Sequence, residues 1–595
     1  MGTLRTRRLP HGLLALLAGL IGLLILTWLL QNRVATAGPV VIDEPSVVRV
    51  YYGAITDIER LTAYDVWEVN NTAERYVLVG VGPDELARLQ QDGWRVALDA
   101  NATADLRRTR QRDLFRDGYR TVTELYADLD SLAAAHPSLS EPVVYGQSVC
   151  LAAGGCVTPG GDALAGYELR ALRITNEAIP GGSTIDGETI TRGEKPVLFL
   201  IANIHAREIT TPEIAMRLAE WLLTGYGVDA DATWLVDQHE IWIVPTVNPD
   251  GHWLVELGTQ PPYNGEPFSH RKNANRDANG DGYPDCSRWP SSSSGQFGVD
   301  LNRNHSYGWG PTGSSAVPCD LTYRGPAVAS EPEVSSLEAL AAAVLTDQRE
   351  DGLYDLAPDD TTGIFITLHS YSELVLWPWG GFYLPAPNRD GLKAIGDKLA
   401  AFNGYTSCQP TDCLYAASGS SDDWAYGTQG VPAFTFEIGR QFMPNYSIID
   451  DEQWPENKPA FLYAARIART PYLTVLGPDS AEGVAVADGD MATMQVTLDD
   501  MATGGNPIAA GEFSVDRPFW DPDHVAYPLE ATDGTFDSET EVATGTLDIA
   551  GWPDGRYLVY FRGQDSEGQW GAVSAAFLTV GPEMYTLYLP QVVTP

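Results

Sequence analysis

No two of the six cysteines, at 150, 156, 286, 319, 408 and 413, form a Cys-x-x-Cys pair. A zinc site built from cysteine therefore has no support. Positive charge is scarce as well: 38 Lys and Arg stand against 79 Asp and Glu, for a formal net charge of -41. So acidic a surface repels a phosphate backbone, which argues against nucleic acid as a partner. A soluble extracellular surface is the simpler reading of the acidity. No internal repeat occurs, and low complexity is confined to the serines at 291–294.

What is present describes a globular, exported, multidomain chain. At 595 residues it is too long for one ordinary domain, and 44% hydrophobic with 10% aromatic residues can build real cores. Arg5, Arg7 and Arg8 precede an apolar run over 13–30, and Ala35-Thr36-Ala37 offers a small-residue cleavage site. Residues 1–37 thus read as a secretory signal. The run is also long enough to span a bilayer, so an uncleaved membrane anchor is the alternative. An even cysteine count behind an export signal favours disulfides. Proximity in sequence prefers Cys150–Cys156, Cys286–Cys319 and Cys408–Cys413 over the other connectivities.

Residues 38–100 read as a small α/β unit, with strands over 47–52, 76–81 and 94–98 and a helix from Pro83 whose first turn is acidic. A basic stretch at 101–117 follows, carrying Arg107, Arg108, Arg110, Arg112 and Arg116. It is either a protease-sensitive linker or a solvated helix joining two domains. Over 118–470, apolar helices at 121–136, 215–223 and 330–344 alternate with buried strands such as 241–245, which indicates an α/β domain with a mostly buried sheet. From 471 to 583, short strands separated by Gly, Asp and Pro turns indicate a β-sandwich. Residues 584–595 form an apolar tail.

The chemistry concentrates at strand ends. The apolar run 197–202 leads into His205-Ala206-Arg207-Glu208, and the run 363–368 leads into His369. Two imidazoles and one carboxylate are a common ligand set for zinc in hydrolases, with one position left open for water. Further pieces follow along the chain: Asn248-Pro249-Asp250-Gly251, Arg271-Lys272-Asn273, the segment 298–304 with Asp300, Asn302 and Arg303, the segment 414–426 with Tyr415, Asp422 and Asp423, and a strand ending in Glu437. In this order they resemble the zinc metallocarboxypeptidases of the pancreatic A/B type, and most closely the bacterial carboxypeptidase T branch, over about 118–470.

The resemblance implies a central mixed eight-stranded sheet flanked by helices, preceded by an α/β pro-segment and followed by the β-sandwich. It implies Zn²⁺ held by His205, Glu208 and His369, with Glu437 moving the proton of the attacking water. It implies that Arg271 polarises the scissile carbonyl. Arg207, Asn302, Arg303 and Tyr415 would bind the peptide and its terminal carboxylate, for which a guanidinium fork is well shaped. Asp422, seven residues after Tyr415, would sit at the base of the side-chain pocket and favour Lys or Arg. T-type relatives carry such an acid and accept apolar residues too. The alternative is that Asp423, not Asp422, points into the pocket.

Asp277, Asn279, Asp281 and Asp285 alternate like the start of a calcium loop, but its twelfth position is Arg288, not Glu. They read either as a Ca²⁺ site or as a solvated acidic turn. The expected function is a secreted zinc-dependent carboxypeptidase acting on peptides or proteins with a free C-terminal carboxylate. In this reading the pro-segment is cut off near the arginine run. The sandwich would contact a surface, a glycan or the catalytic domain. A cell-wall peptidase or amidohydrolase on the same scaffold, and a non-catalytic surface-binding protein, are the alternatives.

Overall fold

The computed structural model describes residues 40–109, 114–187, 189–263, 265–290, 295–502 and 504–582. The expected export signal, Arg110, Arg112, the serine run and the apolar tail lie outside the described residues. Among the described residues no helix is long and apolar enough to cross a membrane.

The N-terminal unit packs one antiparallel sheet against helices. Its elements are β1 (Ser46–Tyr51), a 3₁₀ turn (Ile55–Leu61), β2 (Asp65–Asn71), β3 (Tyr76–Val81), α1 (Pro83–Gln91), β4 (Arg95–Leu98) and α2 (Ala100–Thr109). The sheet order is β2-β3-β1-β4. Helix α1 begins as its sequence predicts: Pro83 opens it, and the Glu85 carboxylate accepts the Gly82 N–H at 3.0 Å. Val48, Val50, Val77, Val79, Leu86 and Leu89 close the core. Strand β2 is absent from the sequence reading, and its register explains why. Val66 pairs with Val79 and Asn70 with Val77, so Trp67, Glu68 and Val69 together stand opposite Leu78. A bulge of this kind destroys the alternation by which a strand is recognised.

Helix α2 covers the first half of the basic stretch; its Arg107 is half-exposed and pairs with Glu44 at 3.5 Å. The helix extends through residue 109.

The central domain carries an eight-stranded mixed sheet. In chain order its elements are α3 (Val122–Ala135), β5 (Ser140–Gln147), β6 (Glu168–Ile174), β7 (Val197–Ala202), α4 (Thr210–Gly225), α5 (Ala230–Gln238), β8 (Glu240–Val244), α6 (Pro249–Leu257), α7 (Pro332–Val344), β9 (Ile364–His369), β10 (Leu374–Leu376), α8 (Arg389–Asn403), β11 (Thr406–Cys408), β12 (Ala433–Glu437) and α9 (Trp454–Ile467). The strands lie in the order β11-β10-β12-β9-β7-β8-β6-β5. Strands β8, β7, β9 and β12 run parallel. Each is buried along its whole length, as parallel strands covered by helices on both faces must be. Their carboxyl ends therefore open onto one edge, the usual place for a site in such a sheet.

Pro471, Tyr472 and Val475 still belong to the buried interior of this domain, and the next strand begins only at Asp479. The C-terminal domain has seven antiparallel strands, β13 (Asp479–Asp488), β14 (Met491–Asp499), β15 (Ile508–Val515), β16 (Tyr527–Ala531), β17 (Thr540–Asp548), β18 (Gly555–Asp565) and β19 (Ser574–Val580), in the order β13-β14-β17-β16-β15-β18-β19. They curl into a barrel-like sandwich around Met494, Val496, Phe513, Val559, Phe561 and Leu578. Its outer face docks on the central domain, where Trp520 and Tyr560 meet Trp234 of α5 with ring centroids 6.0 and 6.2 Å apart. All three disulfides join the cysteine pairs that the sequence prefers.

Candidate active site

The turn after β7 is made by Asn203, which adopts φ = 55°, a conformation that asparagine tolerates better than branched residues. Its side chain ties the turn together. The amide nitrogen donates to the carbonyls of His205 and Ala206 at 3.2 Å each, and the oxygen accepts from Thr246 at 2.9 Å. His205 and Glu208 are thereby turned back over the strand end. Next along the sheet edge, β9 ends in His369, which lies in register with Glu437 at the end of β12.

Three ligand atoms converge there. His205 Nδ1 lies 2.8 Å from Glu208 Oε1 and 3.1 Å from His369 Nδ1, and His369 Nδ1 lies 3.2 Å from Glu208 Oε2. Ligands about 2.0–2.1 Å from a shared zinc stand at about these mutual separations. Among the described residues this is the one group of three His, Cys, Asp or Glu side chains so arranged. All three are buried. Burial opposes the charge of Glu208, but His205 and His369 outweigh it and hold the carboxyl well below its ordinary range.

Asp300 organises the next layer. Its carboxylate meets His205 Nε2 at 3.3 Å, Arg271 Nε at 3.1 Å and the Asn302 N–H at 3.1 Å. A carboxylate behind a ligating imidazole fixes the ring's tautomer and direction. Burial works against this charge too, yet Arg271 and Arg303 keep Asp300 well below the usual carboxylate range. Burial likewise opposes the charge on Arg271, which Asp300 and Glu68 hold firmly protonated.

Glu437 faces the ligand group with one oxygen, Oε2, buried and without a hydrogen-bond partner. Burial first, then Glu68 and Glu208, hold its carboxyl well above the ordinary value. An unpartnered buried carboxyl oxygen is costly structurally and well suited to take a proton. Arg303 donates to the carbonyl oxygens of Gly313 at 3.0 Å and Asn302 at 2.8 Å, so its guanidinium is not spent on a carboxylate. The loop after Tyr415 reaches this arginine through Gly419, where a Cβ would come within 2.5 Å of the Arg303 carbonyl. Asn302 Oδ1 accepts the Ser421 N–H at 2.9 Å and so links the two segments.

Asp422 and Asp423 have different surroundings. The Asp423 oxygens accept the N–H groups of Gly380 at 2.8 Å and Gly381 at 2.7 Å. Both Asp423 oxygens are thus committed to the backbone. Burial, and then Asp422, hold the Asp423 carboxyl well above its ordinary value.

Two further side chains in the cleft have no signal in any motif. Strand β2 of the N-terminal unit projects Asp65 and Glu68 into it. Arg207 Nη1 pairs with Asp65 at 2.8 Å, while Glu68 Oε1 accepts from Arg271 at 3.2 Å and from the Tyr415 hydroxyl at 3.3 Å. A tertiary contact between distant segments leaves no local pattern to read. By contrast, Asp300 sits inside the segment that carries Asn302 and Arg303, so its role as an orienting group could have been inferred.

The calcium expectation does not carry over. The carboxylates of Asp277, Asp281 and Asp285 do not gather as a ligand group. Their oxygens accept backbone N–H groups instead: Asp277 those of Asp281 and Gly282, Asp281 that of Tyr283, and Asp285 that of Ala278, all within 2.7–3.0 Å.

A family profile described as zinc carboxypeptidase matches residues 156–459, about half of the chain. The chain belongs to the zinc carboxypeptidase family. Over 328 residues it is 28% identical to carboxypeptidase A2 of Rattus norvegicus, covering 54% of this chain and 63% of the rat protein. It is also 28% identical over 327 residues to a zinc carboxypeptidase of Simulium vittatum, covering 54% of this chain and 85% of that relative. The chain thus spans less than two thirds of the rat protein's length. The crystal structure of the carboxypeptidase A from Helicoverpa armigera shares the fold, with a TM-score of 0.52 at 21% identity over 71% of this chain and 98% of that one. The buried His205, Glu208 and His369 set is what a zinc-dependent member of the family requires.

Proposed function

We propose that this zinc carboxypeptidase family member is an exported exopeptidase that hydrolyses the last peptide bond of its substrates. The observation that carries the reading is the convergence of His205, Glu208 and His369 beside a Glu437 oxygen that has no other partner. When bound, zinc supplies Lewis-acid activation of water and of the scissile carbonyl. The chain's own groups do the rest. Glu437 accepts the proton of the attacking water and delivers it to the leaving amine. Arg271, kept charged by Asp300, donates to the oxygen on which negative charge develops. Arg303 and Asn302 receive the terminal carboxylate, Tyr415 covers it, and Arg207 holds the peptide farther from the cut.

Asp422 supports a preference for C-terminal Lys or Arg, with acceptance of apolar residues in the manner of the T-type branch. The N-terminal unit acts as a pro-segment: its Asp65 and Glu68 pair with Arg207 and Arg271 in the cleft. Release then needs cleavage in the basic stretch after α2. The disulfides fit an oxidising, extracellular location.

The test uses protein cleaved by limited proteolysis and N-benzoylglycyl dipeptides ending in Arg or Phe. Release of the terminal residue should stop on chelation and return with Zn²⁺. Asp422→Ala should lose most Arg release and keep Phe release. A cleaved, zinc-loaded protein that releases neither residue refutes the function; equal Arg release in the variant refutes the pocket assignment.

A further inference from the structure

We propose that the Cys408–Cys413 disulfide is a positioning device for Tyr415: it keeps the loop that carries this hydroxyl over the cleft once the N-terminal unit has gone. The inference rests on the exopeptidase reading, which gives Tyr415 the covering of the bound carboxylate. The bridge joins two half-buried cysteines five residues apart, and its two ends differ in kind. Cys408 is fixed in the sheet. It ends β11, stands in register with Leu376 of β10, and its carbonyl oxygen accepts the Trp377 N–H at 3.2 Å. Cys413 ends a single helical turn, Pro410–Cys413, two residues before Tyr415. One helical turn does not hold itself together. The bridge ties that turn covalently to the sheet and so restricts where the chain that follows can go.

A second anchor lies just beyond Tyr415. The Ala417 N–H donates to the Gly380 carbonyl oxygen at 2.9 Å, and the Ser418 N–H to that of Thr312 at 3.0 Å. The loop also presses on Gly313, where a Cβ would come within 1.6 Å of the Ala416 carbonyl oxygen. Only Leu414, Tyr415 and Ala416 separate the bridged Cys413 from Ala417. So short a span, held at both ends, has little reach. In the uncleaved chain this span has further support from the N-terminal unit. The Asn70 amide donates to the Leu414 carbonyl oxygen at 2.8 Å, the Tyr415 hydroxyl donates to Glu68 at 3.3 Å, and the Tyr415 ring packs against the core of that unit. All three contacts leave with the unit. What stays on the upstream side is the bridge, together with the Gln409 amide, which donates to the carbonyl oxygens of Trp379 at 3.3 Å and Leu384 at 3.2 Å. The covalent anchor therefore matters most in the cleaved protein, where Tyr415 has a substrate to meet.

The experiment compares wild type, Cys408→Ser/Cys413→Ser, Tyr415→Phe and the triple variant. Each is the full chain, zinc-loaded, nicked by limited proteolysis and assayed dilute with N-benzoylglycyl-arginine. Loss of the bridge should raise KM about three- to tenfold, because a side chain that was held in place must now be ordered on binding, while kcat stays close to wild type. In the Tyr415→Phe background the same loss should leave KM where Tyr415→Phe has already set it, since the group being positioned is gone. Cys408→Ala/Cys413→Ala should repeat the shift and guards against misfolding of the polar pair; melting temperature establishes that each variant is folded. Unchanged KM in folded, bridge-free protein overturns the proposal. So does an equal rise in both backgrounds, which would make the bridge a general support of the loop. Failure of the exopeptidase reading is distinct: nicked wild type itself would release no arginine, and the role given to Tyr415 would fall with it.

Discussion

At the scale of single residues, the site is a contest between burial and pairing. Glu208, Asp300 and Arg271 stay charged in the interior because each has an opposite charge or hydrogen bond beside it. Glu437 has no such partner on Oε2, and the proposed mechanism gives it the proton transfer. Glu437→Gln should therefore lower kcat by at least about a thousandfold, while zinc content by atomic absorption and melting temperature stay close to wild type. Loss of zinc together with activity would instead make Glu437 a structural residue. The ligand residues and Arg271, Asn302 and Arg303 were legible because each falls in a short local motif. Asp65 and Glu68 were not, since the only thing that relates them to the site is a fold that brings residues about 200 positions away against them.

At the scale of elements, the continuous apolar runs of β7, β9 and β12 could be read directly, because parallel strands covered on both faces lose all alternation. The bulged β2 could not, for the opposite reason. Helix contacts hold a further consequence. Glu256 of α6 accepts the Val122 N–H in the first turn of α3 at 2.6 Å, with His252 Nε2 3.7 Å away. Burial, aided by Glu124, raises its carboxyl to about 8. The folded chain therefore keeps a proton there that the unfolded chain loses above its ordinary value near 4.5. Stability from this group is full below that value and is lost as pH rises through about 8. Burial pushes Glu333 up to about 8 in the same sense, whereas burial lowers Lys272 to about 7, which acts oppositely at higher pH. Melting temperature should fall between pH 5 and pH 8 in wild type, and less steeply in Glu256→Gln. Parallel curves for the two proteins would show that Glu256 does not carry the effect.

At the scale of the whole molecule, the C-terminal sandwich has an internal partner. Beyond the Trp234 contacts, Arg469 lies over the Trp520 ring at 4.4 Å, the Ala575 N–H donates to Asp231, and Lys398 pairs with Asp479 across the junction. A shared aromatic seam should make the two domains unfold together. Trp520→Ala removes the central ring and should cost about 1–3 kcal/mol, splitting one calorimetric transition into two. A single unshifted transition would show the seam to be incidental. The sandwich's place after the central domain was legible from its turn-punctuated strands, but the docking face was not, because half-buried tryptophans look alike in sequence whether they meet solvent or a neighbour.

Asp65 and Glu68 lie three residues apart on one strand and grip Arg207 and Arg271 together. Cutting the backbone beyond α2 severs none of these contacts; it only turns a tethered partner into a separate molecule. The liberated fragment should stay in place at high concentration and drift off as the solution is thinned. Specific activity of freshly nicked protein should consequently climb with dilution, so that the surroundings into which the protein is released, as much as the scissors that cut it, set when it begins to work.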